Sequence, residues 1–128
     1  MQQYFKWLLL LTVALPFSLD DHRPASAAAD LSYKVRDLLD PCVEGDNDSR
    51  GGTILELECE QYVSGFVDLY LKAGMDVRHG VCLPNTRNLS DEIRWAFMRW
   101  AHENYDQLLI PAVDGLIATL IDRFPCLK

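Results

Sequence analysis

The side chains best suited to chemistry in this sequence are four cysteines: Cys42, Cys59, Cys82 and Cys126. An even number of cysteines in a small secreted domain is typical of disulfide bonds. A zinc site would normally bring close pairs such as Cys-x-x-Cys, whereas the gaps between these cysteines are 17, 23 and 44 residues. The spacing therefore predicts two disulfides and no metal site.

Other patterns that carry catalysis are missing from the sequence. His79 and His102 are the histidines after residue 29, and neither has a second histidine at metal-binding spacing. There is no Gly-x-Ser-x-Gly turn, no glycine loop of the kind that binds phosphate, and no cysteine left as a nucleophile if both bridges form. We therefore assign no catalytic residue, expect no cofactor, and predict that the protein is not an enzyme.

The elements that position these side chains begin after a targeting segment. A weakly positive start precedes an apolar run over residues 7–19, which is shorter than the roughly 20 residues that span a bilayer. Small residues then offer cleavage after Ala27 or Ala29. Charged residues 20–23 are unusual before such a site, so an uncleaved membrane anchor is the alternative. We expect a signal peptide over residues 1–29, export, and no stable membrane insertion after cleavage.

The remaining domain, residues 30–128, is large enough for one hydrophobic core. Losing Asp20 and Asp21 leaves 17 of 19 acids, losing Lys6 and Arg23 leaves 10 of 12 bases, and the net charge stays at −7. An acidic chain of this size is repelled by phosphate backbones and anionic lipid headgroups. We therefore expect no nucleic-acid partner; the negative charge favours solubility and a basic partner, although many soluble proteins are acidic for reasons unrelated to a partner.

Hydrophobic periodicity predicts an all-α domain of four helices. The first helix should end at Asp40-Pro41, and residues 45–52 should form a polar loop. Thr53 should cap the second helix, and Gly74 stands where a C-terminal cap glycine belongs. Gly65 within it should allow close approach of a neighbouring helix. The residues expected on the buried face of this helix are Leu55, Cys59, Tyr62, Phe66, Leu69 and Ala73.

Two further helices should follow a long connection over residues 75–89. Ser90 should cap the third helix, with Arg94 on its solvent side and Trp95 away from its buried stripe. An exposed tryptophan is typical of protein interfaces, although the bundle could also wrap far enough to cover it. The fourth helix should run from about Gln107 to Arg123, with a start or a kink at its early proline. The residues expected to point inward from it are Leu109, Ala112, Val113, Leu116, Ile117 and Leu120.

This topology suggests the disulfide pairing. A short turn joins helices three and four, so they should run antiparallel and bring Cys82, before helix three, near Cys126, after helix four. Cys42 follows helix one, and Cys59 lies in the second turn of helix two across one loop. We therefore predict Cys42–Cys59 and Cys82–Cys126 from the three pairings that four cysteines allow.

Three short segments in order resemble the Tai/Rap family of bacterial immunity proteins. Residues 59–65, Cys-Glu-Gln-Tyr-Val-Ser-Gly, look like the Cys-x-x-Tyr-(Val/Ile)-x-Gly signature of that family. Cys82-Leu83-Pro84 resembles its Cys-(Leu/Ile)-Pro element, and Phe124-Pro125-Cys126 resembles its terminal Phe-Pro-Cys. The resemblance covers nearly all of residues 30–128. It departs from the family at Gln61, where a small residue is common, and at the charged residues 20–23.

The resemblance implies a periplasmic inhibitor of a peptidoglycan amidase delivered by type VI secretion. It also implies a small helical domain that blocks the amidase cleft with surface elements, and it leaves a homodimer and an orphan binding module open. Asp76, Arg78 and His79 in the connection are the residues we expect to contact the partner, with Trp95 as a second patch. The alternative function is a small periplasmic acid-stress chaperone, whose carboxylates would lose their charge at low pH and expose its apolar stripes.

Overall fold

The computed structural model describes residues 32–46 and 52–127, so the expected signal peptide and residues 47–51 of the predicted polar loop lie outside the described residues. Four long helices and one short helix form: α1 Val35–Asp46, α2 Gly52–Lys72, α3 Met75–His79, α4 Leu89–Glu103 and α5 Ala112–Arg123. No strand forms within the described ranges, where only two isolated β-bridges occur. The prediction of an all-α domain is confirmed.

Helix α1 continues through Pro41 to Asp46, so the predicted end at Asp40-Pro41 is wrong. Proline normally breaks a helix interior partly because it leaves the carbonyl four residues earlier without a donor. Here the hydroxyl of Tyr33 donates to that carbonyl, the main-chain oxygen of Asp37, over 2.7 Å. The single proton of this hydroxyl is shared with a carboxylate oxygen of Glu58, which lies 2.9 Å from the Tyr33 oxygen. Burial, and then this carboxylate, raise the pKa of Tyr33 well above its usual range, so the hydroxyl keeps its proton.

Helix α2 buries a stripe that shares only Cys59 with the predicted one. Its buried side chains beyond Gly52 are Cys59, Val63, Val67 and Tyr70, which recur every three or four residues. Of the predicted stripe, Leu69 is 70% exposed and Tyr62 and Phe66 are half-buried. Gly74 ends the helix region with φ 66°, a left-handed conformation that glycine adopts without steric cost, as predicted.

Helix α4 begins at Leu89 after Asn88, so Ser90 is not its cap. The Ser90 hydroxyl instead lies 2.8 Å from that of Ser64 on α2. Arg94, predicted on the solvent side, is buried with 7% of its side chain exposed. It lies there because Nη1 donates to Glu56 Oε1 of α2 over 3.3 Å and Nη2 lies 3.8 Å from Asp91.

Helix α5 begins directly after Pro111, which confirms the first of the two alternatives for this proline. Ala112, Leu116 and Leu120 are buried as predicted, whereas Leu109 and Val113 are exposed. Gly115 lies inside the core, and a Cβ atom added to it would meet Val35 Cγ2 of α1 at 2.4 Å. Only a glycine lets α1 and α5 approach this closely.

Backbone hydrogen bonds fasten the ends of the helices to one another. The amides of Val35 and Arg36 at the start of α1 donate to Ile110 and Leu108, the connection that leads into α5. The Cys82 amide donates to the carbonyl of Phe124 after α5 over 2.8 Å. These contacts satisfy amides that a helix start or a loop would otherwise leave unpaired.

Both predicted disulfides form. Cys42–Cys59 joins α1 to α2 with Cα atoms 5.0 Å apart, and Cys82–Cys126 joins the connection before α4 to the segment after α5 with Cα atoms 4.8 Å apart. The first lies in the core, whereas both cysteines of the second are exposed. No free cysteine occurs among the described residues.

Candidate functional site

Three of the predicted partner-binding residues lie on α3, a single helical turn between two left-handed glycines, Gly74 and Gly80. Arg78 is exposed, and its guanidinium has no hydrogen-bond or ion-pair partner within the described parts of the chain. Asp76 and His79 are half-buried. The short helix therefore presents one unpaired cation to solvent.

His79 is held against α2 by Tyr70. The Tyr70 hydroxyl and His79 Nδ1 form a hydrogen bond of 2.9 Å, and their rings lie 5.7 Å apart. Burial, with a smaller contribution from the charge of Asp76, raises the pKa of the Tyr70 phenol. His79 thus positions α3 on α2. Of His79 and Arg78, Arg78 is the side chain that remains free to contact a partner.

Trp95, the fourth predicted partner-binding residue, lies on α4. Its side chain is 48% exposed, and the Arg94 guanidinium lies 5.8 Å from the ring centroid. The indole borders a shallow depression of about 340 Å³ together with Arg99, Arg123 and Phe124. Arg123 is paired with Glu103 and Asp122, which lowers the charge available there. No α3 residue lines this depression, so Trp95 and the α3 residues do not share one pocket.

A groove between α2 and α5 was missed by the sequence reasoning. It has a volume of about 560 Å³, and carbon atoms form nearly all of its surface. Its lining residues come from α2, α3 and α5 and include Tyr62, Gly65, Phe66, Leu69, Ala73, Met75, Val113 and Ile117. Four of these residues, Tyr62, Phe66, Leu69 and Ala73, belong to the stripe of α2 that was predicted to be buried in the core. The apolar residues were recognised, but the surface they form remains uncovered by the described residues.

Gly65 lies in this groove, and no neighbouring helix approaches it. A Cβ atom built on Gly65 would have no heavy atom within 4 Å, so the predicted close approach does not occur within the described chain. A helix-interior glycine costs about 1 kcal/mol relative to alanine. No packing within the described residues accounts for that cost.

The described residues offer no group of three or more His, Cys, Asp or Glu side chains that could hold a metal ion. His102 is exposed on the last turn of α4, away from His79 on α3. Nor is any helix in residues 32–46 and 52–127 both long and apolar enough to cross a membrane. The arrangement is that of surfaces able to bind another molecule: a groove, a short helix with an exposed arginine, and an aromatic depression.

The sequence model of the Rap1a immunity proteins matches residues 34–126. The match begins one residue before α1 and ends at Cys126, so it includes all the helices described above and both disulfides. The chain belongs to the Rap1a immunity protein family. Comparisons with curated protein sequences and with solved structures find no similar protein.

Membership of the Rap1a family confirms the resemblance drawn from the three short segments. It assigns the chain an immunity-type function against a toxin, so the partner is a protein. The residues that contact this partner are not fixed by family membership. The groove, α3 and the Trp95 depression are the described surfaces from which such a contact can be built.

Proposed function

We propose that this Rap1a protein is a periplasmic immunity protein that binds and inhibits a peptidoglycan amidase toxin delivered by type VI secretion. The observation that carries the proposal is the family match over residues 34–126. An inhibitor binds its target through a stable surface. In this protein, two disulfides stabilise the helices that form the surface. The protein itself acts by binding and not by catalysis.

Export is proposed from the first 29 residues and from the cysteines together. An apolar run followed by small residues is typical of a signal peptide, and two disulfides suit an oxidising compartment. Expression of the full chain with periplasmic fractionation should yield a mature protein that begins at Ala28 or Asp30, read by N-terminal sequencing. A full-length protein that stays in the membrane fraction would support the anchor alternative.

The inhibitory contact is proposed to include α3. Arg78 is exposed and unpaired among the described residues, so a carboxylate of the toxin could pair with it without first breaking an existing ion pair. Asp76 and His79 flank it on the same turn, and Trp95 is proposed as a second patch.

The test uses residues 30–128 and the product of the neighbouring gene, together with a panel of cell-wall amidases. Isothermal calorimetry should detect a complex, and a turbidity assay should show loss of peptidoglycan hydrolysis. Arg78→Glu should weaken binding at least tenfold, or about 1.4 kcal/mol. Arg87→Glu makes the same charge change at another exposed arginine and should leave binding unchanged.

The outcomes separate the two candidate functions. If no amidase binds or is inhibited, the amidase proposal is wrong. Suppression of client aggregation at pH 2–3 in the same preparation would then favour the chaperone. Equal losses for Arg78→Glu and Arg87→Glu would show that charge in general, and not α3, drives binding.

A further inference from the structure

We propose that the α2–α5 groove binds the apolar face of a basic amphipathic helix on the toxin. This inference rests on the proposed function, because it names the kind of element that the partner presents. It starts from the exposure of the groove wall, where Leu69 is 70% and Val113 44% exposed. Contiguous apolar surface of this kind in a small protein marks an interaction site more often than isolated exposed residues do.

The shape of the groove suits a helix. Its wall on α2 runs from Gln61 to Ala73, which at 1.5 Å per residue is about 18 Å, or roughly three turns. The opposite wall is formed by Val113 and Ile117, which lie one turn apart on α5. Amphipathic helices bind such grooves through side chains spaced three and four residues apart.

Gly65 allows the incoming helix to approach the backbone of α2 closely. It lies about a third of the way along the α2 wall, and a Cβ atom added there would have no heavy atom of a neighbouring element within 4 Å in the described chain. Because Gly65 has no side chain, a residue of the incoming helix can contact the backbone of α2 at this position. The helix-stability cost of Gly65 is thereby accounted for by a contact outside the chain.

The charges around the groove select a basic helix. Glu58 lies one turn before the groove on the same face of α2, Asp76 follows its far end, and Asp114 adjoins its α5 wall. Asp68 is offset by Lys72 on the outer edge of α2, and Asp76 is offset by Arg78 on α3, so Glu58 and Asp114 are the acids left without a neighbouring base. The rim therefore has an excess of acidic groups on a chain whose net charge is −7. Two copies of this chain would bring the same acids together, which disfavours a second copy as the occupant.

The probe is a fluorescein-labelled 18-residue Leu/Lys peptide with one apolar face, read by fluorescence anisotropy. A Leu/Glu peptide of the same spacing is the charge control. The Leu/Lys peptide should bind residues 30–128, and the Leu/Glu peptide should bind at least tenfold more weakly. Because any acidic protein attracts a cationic peptide, variants must show where it binds.

Gly65→Leu fills the groove without changing charge and should weaken binding of the Leu/Lys peptide at least tenfold. The space around Gly65 and the high helix propensity of leucine predict that this variant folds normally. Val113→Gln on the opposite wall should also weaken binding. Thr53→Leu adds a leucine to an exposed site of α2 outside the groove and should have no effect.

Unchanged peptide binding by Gly65→Leu would overturn the proposal. So would a dimer in sedimentation velocity that Gly65→Leu dissociates while the peptide does not bind, because the occupant would then be a second copy. If an amidase binds the parent and Gly65→Leu equally, the groove is not the toxin surface although the proposed function stands. If no amidase binds but the peptide results hold, the proposed function fails and the groove remains a site for a basic helix.

Discussion

Two glycines of this domain should respond in opposite directions to the same substitution. Gly115→Ala places a Cβ atom 2.4 Å from Val35 Cγ2 and 3.3 Å from Trp100 Cζ3, whereas Gly65→Ala places one in open space. Ordinary carbon contacts lie at about 3.5–4.0 Å, so Val35 would have to move by more than about 1 Å. Val35 is fully buried and β-branched, with one strongly preferred rotamer in a helix, and cannot turn away.

The magnitudes follow from two opposing effects. Overpacking of a core costs about 1–3 kcal/mol, and the displacement required here places Gly115→Ala in the upper half of that range. Alanine regains about 1 kcal/mol of helix propensity at either site. Gly115→Ala should therefore lower the free energy of unfolding by about 1–2 kcal/mol, while Gly65→Ala should raise it by about 1 kcal/mol.

Urea denaturation followed by circular dichroism, with both disulfides intact, measures the difference between these variants. The double variant Val35→Ala/Gly115→Ala removes the atom in the clash, so its loss should be smaller than the sum of the two single losses. If Gly115→Ala is as stable as Gly65→Ala, or if the two losses add, the close approach of α1 and α5 is not what requires a glycine.

Three further features allow a direct test: the hydrogen bond from Tyr33 to the Asp37 carbonyl, the exposed disulfide and the raised pKa of Tyr33. Tyr33→Phe leaves a helix carbonyl without a donor and should cost about 1–2 kcal/mol in urea denaturation. Mild dithiothreitol should reduce Cys82–Cys126 before the other disulfide, because only this pair is exposed, as alkylation and peptide mass spectrometry would show. The contribution of Tyr33 to stability should be fully present below pH 10 and be lost as pH rises further, because burial raises the pKa of Tyr33 in the folded state above its ordinary value of 10.0.

Each of these tests has its own control. The cost of Tyr33→Phe should shrink in a Pro41→Ala background, where an amide replaces the hydroxyl as donor. An equal cost in both backgrounds would mean that the hydroxyl matters mainly through Glu58. Simultaneous reduction of the two disulfides would show that α1 and α2 open as readily as the exposed tail. For the alkaline test, Tyr33→Phe should flatten the loss of stability above pH 10.

The fold was predictable from the sequence where local signals agree with packing. The order of the long helices, the left-handed Gly74 and the start of α5 after Pro111 each follow from backbone chemistry that acts within a few residues. The disulfide pairing followed from topology, since antiparallel neighbours bring the flanking cysteines together. These features needed no knowledge of distant contacts.

Two failures share a cause, which is a side-chain hydrogen bond that hydrophobic periodicity does not show. The end of α1 was misplaced because the donor that lets the helix pass Pro41 is a side chain outside the helix. Arg94 was placed in solvent because its acceptor, Glu56, lies 38 residues away. The α3 residues, by contrast, were found by their polarity alone, and their role in binding stays a prediction.

The stripe of α2 was misassigned for a different reason. Tyr62 and Phe66 form one apolar row and Val63 and Val67 another, so periodicity alone does not say which row faces the core. The better signal was that both rows of α2 are apolar, because one small core covers only one of them. An excess of apolar helix surface could have indicated the groove before the structure did.

The two disulfides also bear on how the protein is made. The first cysteine in the chain pairs with the second and the third with the fourth, so the two covalent rings follow each other without overlap. When the chain enters an oxidising compartment with its N-terminus first, Cys59 becomes available to Cys42 before Cys82 and Cys126 do. Native connectivity can therefore be reached by joining consecutive thiols, and we expect an oxidase without a disulfide isomerase to suffice for making this protein.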